Sequence, residues 1–118
     1  MTKILHVDDD ESFRHLVSEY IKNYFGIPID SVTSGNEAKK RIDGGHRYQL
    51  IISDLMMPDG NGNELFQFVN DRLFQTYFIF LTNSPHLVQV SDPNIFYCII
   101  EKTEMRRLRE KIELAIYY

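Results

Sequence analysis

Three aspartates in a row, Asp8-Asp9-Asp10, follow one short apolar run of this sequence, and a fourth, Asp54, follows another, Leu50-Ile51-Ile52-Ser53. If Asp8, Asp9 and Asp54 share a cleft, their like charges repel strongly unless a cation neutralises them. Hard carboxylate oxygens suit Mg²⁺, with Mn²⁺ as the near substitute, and no His/Cys ligand spacing for zinc is present. Lys102 adds an ammonium and Thr82 a hydroxyl, the two groups that would bind the oxygens of a phosphoryl group. Fixed positive charge and fixed geometry assist attack by a carboxylate. Asp54 is the best nucleophile, because it follows a buried strand directly, whereas Asp8 and Asp9 open a helix and are better placed as metal ligands.

Each feature also has a plainer reading. A run of aspartates before a helix is most often an N-cap in a favourable dipole. Met57-Pro58-Asp59-Gly60 carries ordinary turn signals. Thr82-Asn83-Ser84 reads as the cap of a short helix, and Lys102 as a solvated lysine. The set outweighs these readings only if the fold gathers it in one place.

The elements that would do so are legible. Short β-type runs at 3–7, 27–32, 50–53, 78–81 and 96–100 alternate with stretches of helical period, the signature of a parallel sheet covered on both faces. In the first helix Phe13, Leu16, Val17, Tyr20, Ile21 and Tyr24 form an apolar stripe, with Asp10 as its cap. A second helix runs from about 36 to Gly44-Gly45, and a third from 63 to 74. Pro85, Pro93 and polar residues at 89–92 leave room for only about two turns of a fourth. A fifth spans 104–118, with Met105, Leu108, Ile112 and Ala115 inward and Arg106, Arg107, Arg109 and Lys111 on the wet side. Ligands of such sheets bind beyond the carboxyl ends of the strands, where the acidic, hydroxyl and amino groups all stand.

The bulk numbers narrow the class. With 118 residues, 43% hydrophobic and 25% charged, the chain reads as one globular domain over 1–118. A net charge of −4 with scattered cations lacks the footprint of a nucleic-acid binder. The single cysteine, Cys98, sits in an apolar run and reads as a small buried hydrophobe. No apolar run approaches the roughly 20 residues of a membrane span, and Met1-Thr2-Lys3 does not begin a signal peptide, so a cytoplasmic location is expected. His6 and His15 have no partner pattern and read as satisfied structural histidines.

Ile4-Leu5-His6-Val7-Asp8-Asp9, the segment from Ile51 through Ser53-Asp54-Leu55-Met56-Met57-Pro58 to Gly62, Leu81-Thr82-Asn83 and Ile100-Glu101-Lys102 resemble, in order and spacing, the receiver domains of bacterial response regulators. The resemblance covers essentially the whole chain. It implies a flavodoxin-like, doubly wound (βα)5 fold with strand order 2-1-3-4-5. It also implies Asp54 as phosphoacceptor, and Asp9, Asp54 and the backbone carbonyl of Met56 as direct ligands of Mg²⁺ or Mn²⁺, with Asp8 acting through water. Thr82 and Lys102 would bind the transferred phosphoryl oxygens. The implied donor is the phosphohistidine of a sensor histidine kinase or a histidine phosphotransfer protein, with a downstream protein reading the switched surface. On this reading the chain is a signalling receiver that promotes its own phosphorylation and dephosphorylation, not an enzyme acting on a separate substrate.

Several positions depart from the family pattern. Thr103 follows the lysine where a cis proline is usual, and Ile99 stands where many receivers carry an aromatic, Tyr97 being two residues earlier. Met56, bordering the path of attacking water, cannot orient that water, which predicts a persistent phosphoaspartate. Met56, Ser84 and Ile99 are therefore the expected modulating positions. Two other readings stay open. One keeps the fold as an atypical receiver, an interaction module independent of phosphorylation. The other takes Asp8-Asp9-Asp10-Glu11-Ser12 as the start of a haloacid-dehalogenase-like phosphatase, with Asp8 as nucleophile and Asp10 as acid.

Overall fold

The computed structural model describes residues 3–72 and 75–117. Five parallel strands, β1 (Ile4–Val7), β2 (Ile29–Val32), β3 (Leu50–Ser53), β4 (Tyr77–Thr82) and β5 (Tyr97–Glu101), form one sheet in the order β2-β1-β3-β4-β5. Four α-helices cover it: α1 (Glu11–Phe25), α2 (Gly35–Asp43), α3 (Gly62–Asp71) and α4 (Met105–Tyr117). This is the doubly wound, flavodoxin-like arrangement expected from the alternation of runs. The sequence-predicted ends of the third helix at Phe74 and of the last at Tyr118 lie outside the described residues.

Strand alternation sorts the core into two layers. Leu5, Val7, Ile51, Phe78 and Phe80 pack with α2 and α3 residues such as Ile42, Leu65 and Phe66. Ile4, Leu50, Ile52, Ile79, Leu81 and Ile100 pack with Val17 and Ile21 of α1 and Leu108, Ile112 and Ala115 of α4. The predicted α1 stripe is wider than the face that is buried: Leu16 and Tyr24 stand half exposed. Tyr24 is instead covered by the Arg109 guanidinium, 4.9 Å from its ring centroid.

Local chemistry sets the helix ends. Asp10 accepts from the Phe13 N–H at 3.1 Å and starts α1. At the end of α2, Gly45 takes φ +99° while the His46 N–H bonds back to the Arg41 carbonyl, a Schellman stop that needs glycine. Asn61 and Glu64 form a reciprocal capping box at the start of α3.

The predicted fourth helix is absent as such. The segment between β4 and β5 holds one 3₁₀ turn, Pro85–Leu87, and then runs to β5 without regular secondary structure, bending at Asp92, which takes φ +47°. Pro85 opens the turn and Pro93 interrupts any continuation, so only a single turn forms. Val88 and Val90 pack against the α3 side of the core. Two α3 asparagines, seven residues apart and so on nearly one face, hold this strap. Asn63 accepts from the Gln89 N–H at 2.9 Å and donates to the Leu87 carbonyl at 3.1 Å. Asn70 accepts from the Asn94 N–H at 2.5 Å and donates to the Asp92 carbonyl at 3.2 Å.

Candidate functional site

Pairing brings β1 and β3 to the same level, Val7 beside Ser53, and the Asp54 N–H donates to the Val7 carbonyl at 2.8 Å. Asp8 and Asp54 therefore leave adjacent strand ends together. Asp8 is fully buried, and its Oδ1 accepts from the Asp10 N–H at 2.9 Å. Asp9 beside it is exposed. Asp54 is 7% exposed, and its Oδ1 accepts from the Leu55 N–H at 2.7 Å. One carboxylate oxygen from each of Asp8, Asp9 and Asp54 lies within 4.8 Å of the others. Gly62 is required behind them, since a Cβ there would collide with the Asp54 carbonyl oxygen.

Lys102 reaches into this cluster from the end of β5. Its N–H donates to the Thr82 carbonyl at 3.3 Å, and its Nζ lies 2.7 Å from Asp8 Oδ2 and 3.2 Å from Asp54 Oδ2. Burial raises the Asp8 pKa, and the Lys102 ammonium beside it only partly offsets this. For Lys102 itself burial disfavours the ammonium, but the two carboxylates outweigh that and hold its pKa above the usual lysine value. The chain between Lys102 and α4 closes in a turn in which the Glu104 N–H donates to the Glu101 carbonyl, and the Lys102–Thr103 bond is trans.

Of the other sequence-predicted residues, Thr82 is buried at the end of β4, and its hydroxyl oxygen accepts from the Ser84 N–H at 3.0 Å. Ser84 precedes the 3₁₀ turn. The Met56 side chain is 58% exposed, two residues beyond Asp54. Ile99 does not line the cluster: it packs into the α2/α3 layer of the core. Tyr97 sets its ring edge-on to Phe66 at 5.4 Å and also meets Phe80 at 6.3 Å.

Two residues at the site, Arg14 and Phe13, have no functional reading from the sequence, and a third, His6, reads there as a satisfied structural histidine. The Arg14 guanidinium donates to the Asp8 carbonyl at 2.8 Å. The ring centroid of Phe13 lies 4.5 Å from Lys102 Nζ. His6 is fully buried 6.2 Å from Phe13, and neither ring nitrogen has a hydrogen-bond partner among the described residues, so it is structural but not satisfied. Its place in a central strand, facing an apolar layer, leaves no donor or acceptor within reach. The available signal for Phe13 and Arg14 was position: the first turn of a helix that follows an acidic strand end stands over the site.

The family model of the response regulator receiver domain matches residues 4–113. The chain belongs to this family. Its receiver sequence is 30% identical over 82 residues to response regulator SaeR of Staphylococcus epidermidis, covering 70% of this chain and 34% of SaeR. It is 29% identical over 119 residues to regulatory protein VanRB of Enterococcus faecalis, covering 97% of this chain and 52% of VanRB. The receiver thus spans about a third to a half of the curated relatives it matches. Among solved structures, response regulator TrrA of Thermotoga maritima in complex with Mg²⁺ and BeF superposes with a TM-score of 0.85 at 28% identity, over 98% of this chain and all of TrrA. TrrA has also been solved with histidine kinase ThkA, and that copy gives a TM-score of 0.80 at 27% identity, covering 98% of this chain and 99% of the other. No helix of this receiver's described residues is long and apolar enough to cross a membrane.

Proposed function

We propose that this receiver accepts a phosphoryl group on Asp54 from a phosphohistidine, supplied by a sensor histidine kinase or a histidine phosphotransfer protein, and that residues 1–118 form one such unit working in the cytoplasm. The observation that carries the reading is the Lys102 ammonium held between Asp8 and Asp54 at 2.7 and 3.2 Å, with Asp9 at the rim of the same cluster. The likeness to TrrA, solved with a histidine kinase, supports the partner class.

In transfer, an Asp54 carboxylate oxygen attacks phosphorus, the P–N bond to the donor imidazole breaks, and that nitrogen keeps the electron pair. Lys102 and the Thr82 hydroxyl would receive the phosphoryl oxygens. The Leu55 N–H bond holds Asp54 Oδ1, and Oδ2, which now faces the Lys102 ammonium, would be the attacking oxygen once Lys102 turns to the phosphoryl group.

The donor set fits a divalent cation. Three carboxylates converge, and Asp8 Oδ2 is buried with no well-directed hydrogen bond, only the Lys102 ammonium beside it. Asp9, Asp54 and the Met56 carbonyl would hold Mg²⁺ or Mn²⁺, with Asp8 acting through water. Bound there, the ion would supply charge neutralisation for the carboxylates and the phosphoryl oxygens.

The test is intact mass after incubation with Mg²⁺ and a small phosphodonor. Wild type should gain one phosphoryl group and Asp54→Asn none; equal labelling of both would refute the assignment. With exposed, apolar Met56 beside the site, the label should persist, and loss no slower than in Met56→Glu would remove that part. Failure of wild type to take any label would favour the atypical receiver. That second reading draws on the strap, because with no α-helix between β4 and β5 a Thr82-driven change has no such helix to move.

A further inference from the structure

The Lys102 ammonium has three N–H donors and meets two carboxylates. On another side lies the ring of Phe13, 4.5 Å from Nζ to centroid, in the first turn of α1. Phe13 is itself fixed: its N–H is held by the Asp10 carboxylate, and its ring lies 6.2 Å from the buried His6. Lysine is a flexible four-carbon stem whose head is not preorganised, and this one stands on a turn with a trans Lys102–Thr103 bond and no proline to stiffen it.

We infer that Phe13 is a positioning residue, whose ring face confines the Lys102 ammonium over the Asp8–Asp54 pair and so sets how well Lys102 meets the incoming phosphoryl group. The inference rests on the phosphoacceptor reading for its consequence, though not for the contact. A π face attracts a partly desolvated cation, whereas an aliphatic side chain of similar bulk only fills space. The ring thus stabilises one position of the ammonium without adding a hydrogen bond that phosphoryl oxygens would have to break.

Two measurements on the full chain test this. In the metal-free protein, NMR should show the Lys102 ε-methylene protons shifted upfield by the ring, a shift lost in Phe13→Leu and restored in Phe13→Tyr. With saturating Mg²⁺ and a small phosphodonor, Asp54 labelling should slow roughly three- to tenfold in Phe13→Leu and recover in Phe13→Tyr. An absent ring shift in wild type, or a Phe13→Leu variant that labels at the wild-type rate, overturns the inference. Slowing without recovery in Phe13→Tyr would mark a mere packing defect and overturn it as well. If wild type shows the ring shift but takes no label, the phosphoacceptor reading falls, and with it the role of Phe13 in transfer, while the ring–ammonium contact is upheld.

Discussion

Within a few ångströms of Asp8, opposite demands meet on neighbouring side chains. His6 is held neutral by burial and by the cations Lys102 and Arg14, which lower its pKa from 6.5 to about 3. Between those values the unfolded chain binds the proton that the folded one refuses. The His6 contribution to stability is therefore complete above about pH 6.5 and declines as pH falls toward 3, by up to about 1.4 kcal/mol per pH unit. Asp8 acts in the opposite sense: a carboxyl pKa raised by burial favours folding in acid and gives that contribution up as pH rises through the raised value. For His6 the prediction is specific. Urea melts at pH 7 and pH 5 should show His6→Leu losing about 2 kcal/mol less than wild type between the two. Identical losses would mean that His6 finds a partner in solution.

Elements fix what residues cannot. The strap between β4 and β5 sets Val88, Val90 and Ile95 into the α3 side of the core, and the α3 carboxamides hold its backbone there. Asn70 is 2% exposed and bonds to the strap through both its oxygen and its nitrogen. Removing it leaves the partly buried Asn94 N–H and Asp92 carbonyl of the strap without these partners, which costs about 1–3 kcal/mol. Asn70→Ala should lower unfolding stability by that amount and speed amide exchange in residues 88–96, while exchange in β1 and β3 changes little. Uniform acceleration across the sheet would show that the strap is no separate unit. The same α3 helix begins at Gly62, packed against the Asp54 backbone, so the strap and the Asp54 loop share one support.

At the scale of the molecule, the strand ends are aligned so that the carboxylates of Asp8, Asp9 and Asp54 accumulate where Lys102 is the cation that reaches them directly, with Arg14 on the Asp8 backbone carbonyl. Such a pocket links cation binding to folding. Mg²⁺ at a hundred times its dissociation constant should raise unfolding stability by about 2.7 kcal/mol, and EDTA should reverse it. Asp9→Asn should abolish most of that gain while leaving the metal-free protein no less stable, because it removes one of three crowded negative charges. A full Mg²⁺ response in Asp9→Asn would take Asp9 out of the ligand set.

Periodicity alone determined that this chain alternates strand and helix, that β1, β3 and β4 are buried on both faces, and that Asp8, Asp9, Asp54, Thr82 and Lys102 stand at strand ends. Those are local properties, written in side-chain spacing and in the polar residue that must follow an apolar run. Three things waited for the tertiary structure. The prolines showed that the fourth helix is short, but only the reach of Asn63 and Asn70 from α3 made the segment a strap. Ile99 follows the strand period into the core, so its departure from the family pattern touches packing and not the pocket. The ammonium seated on Phe13, and His6 buried without partners, depend on which side chains meet across β1, β5 and α1. Contacts between residues 85 or more positions apart, such as Phe13 with Lys102, leave no mark in local spacing, because they exist only once the sheet has closed.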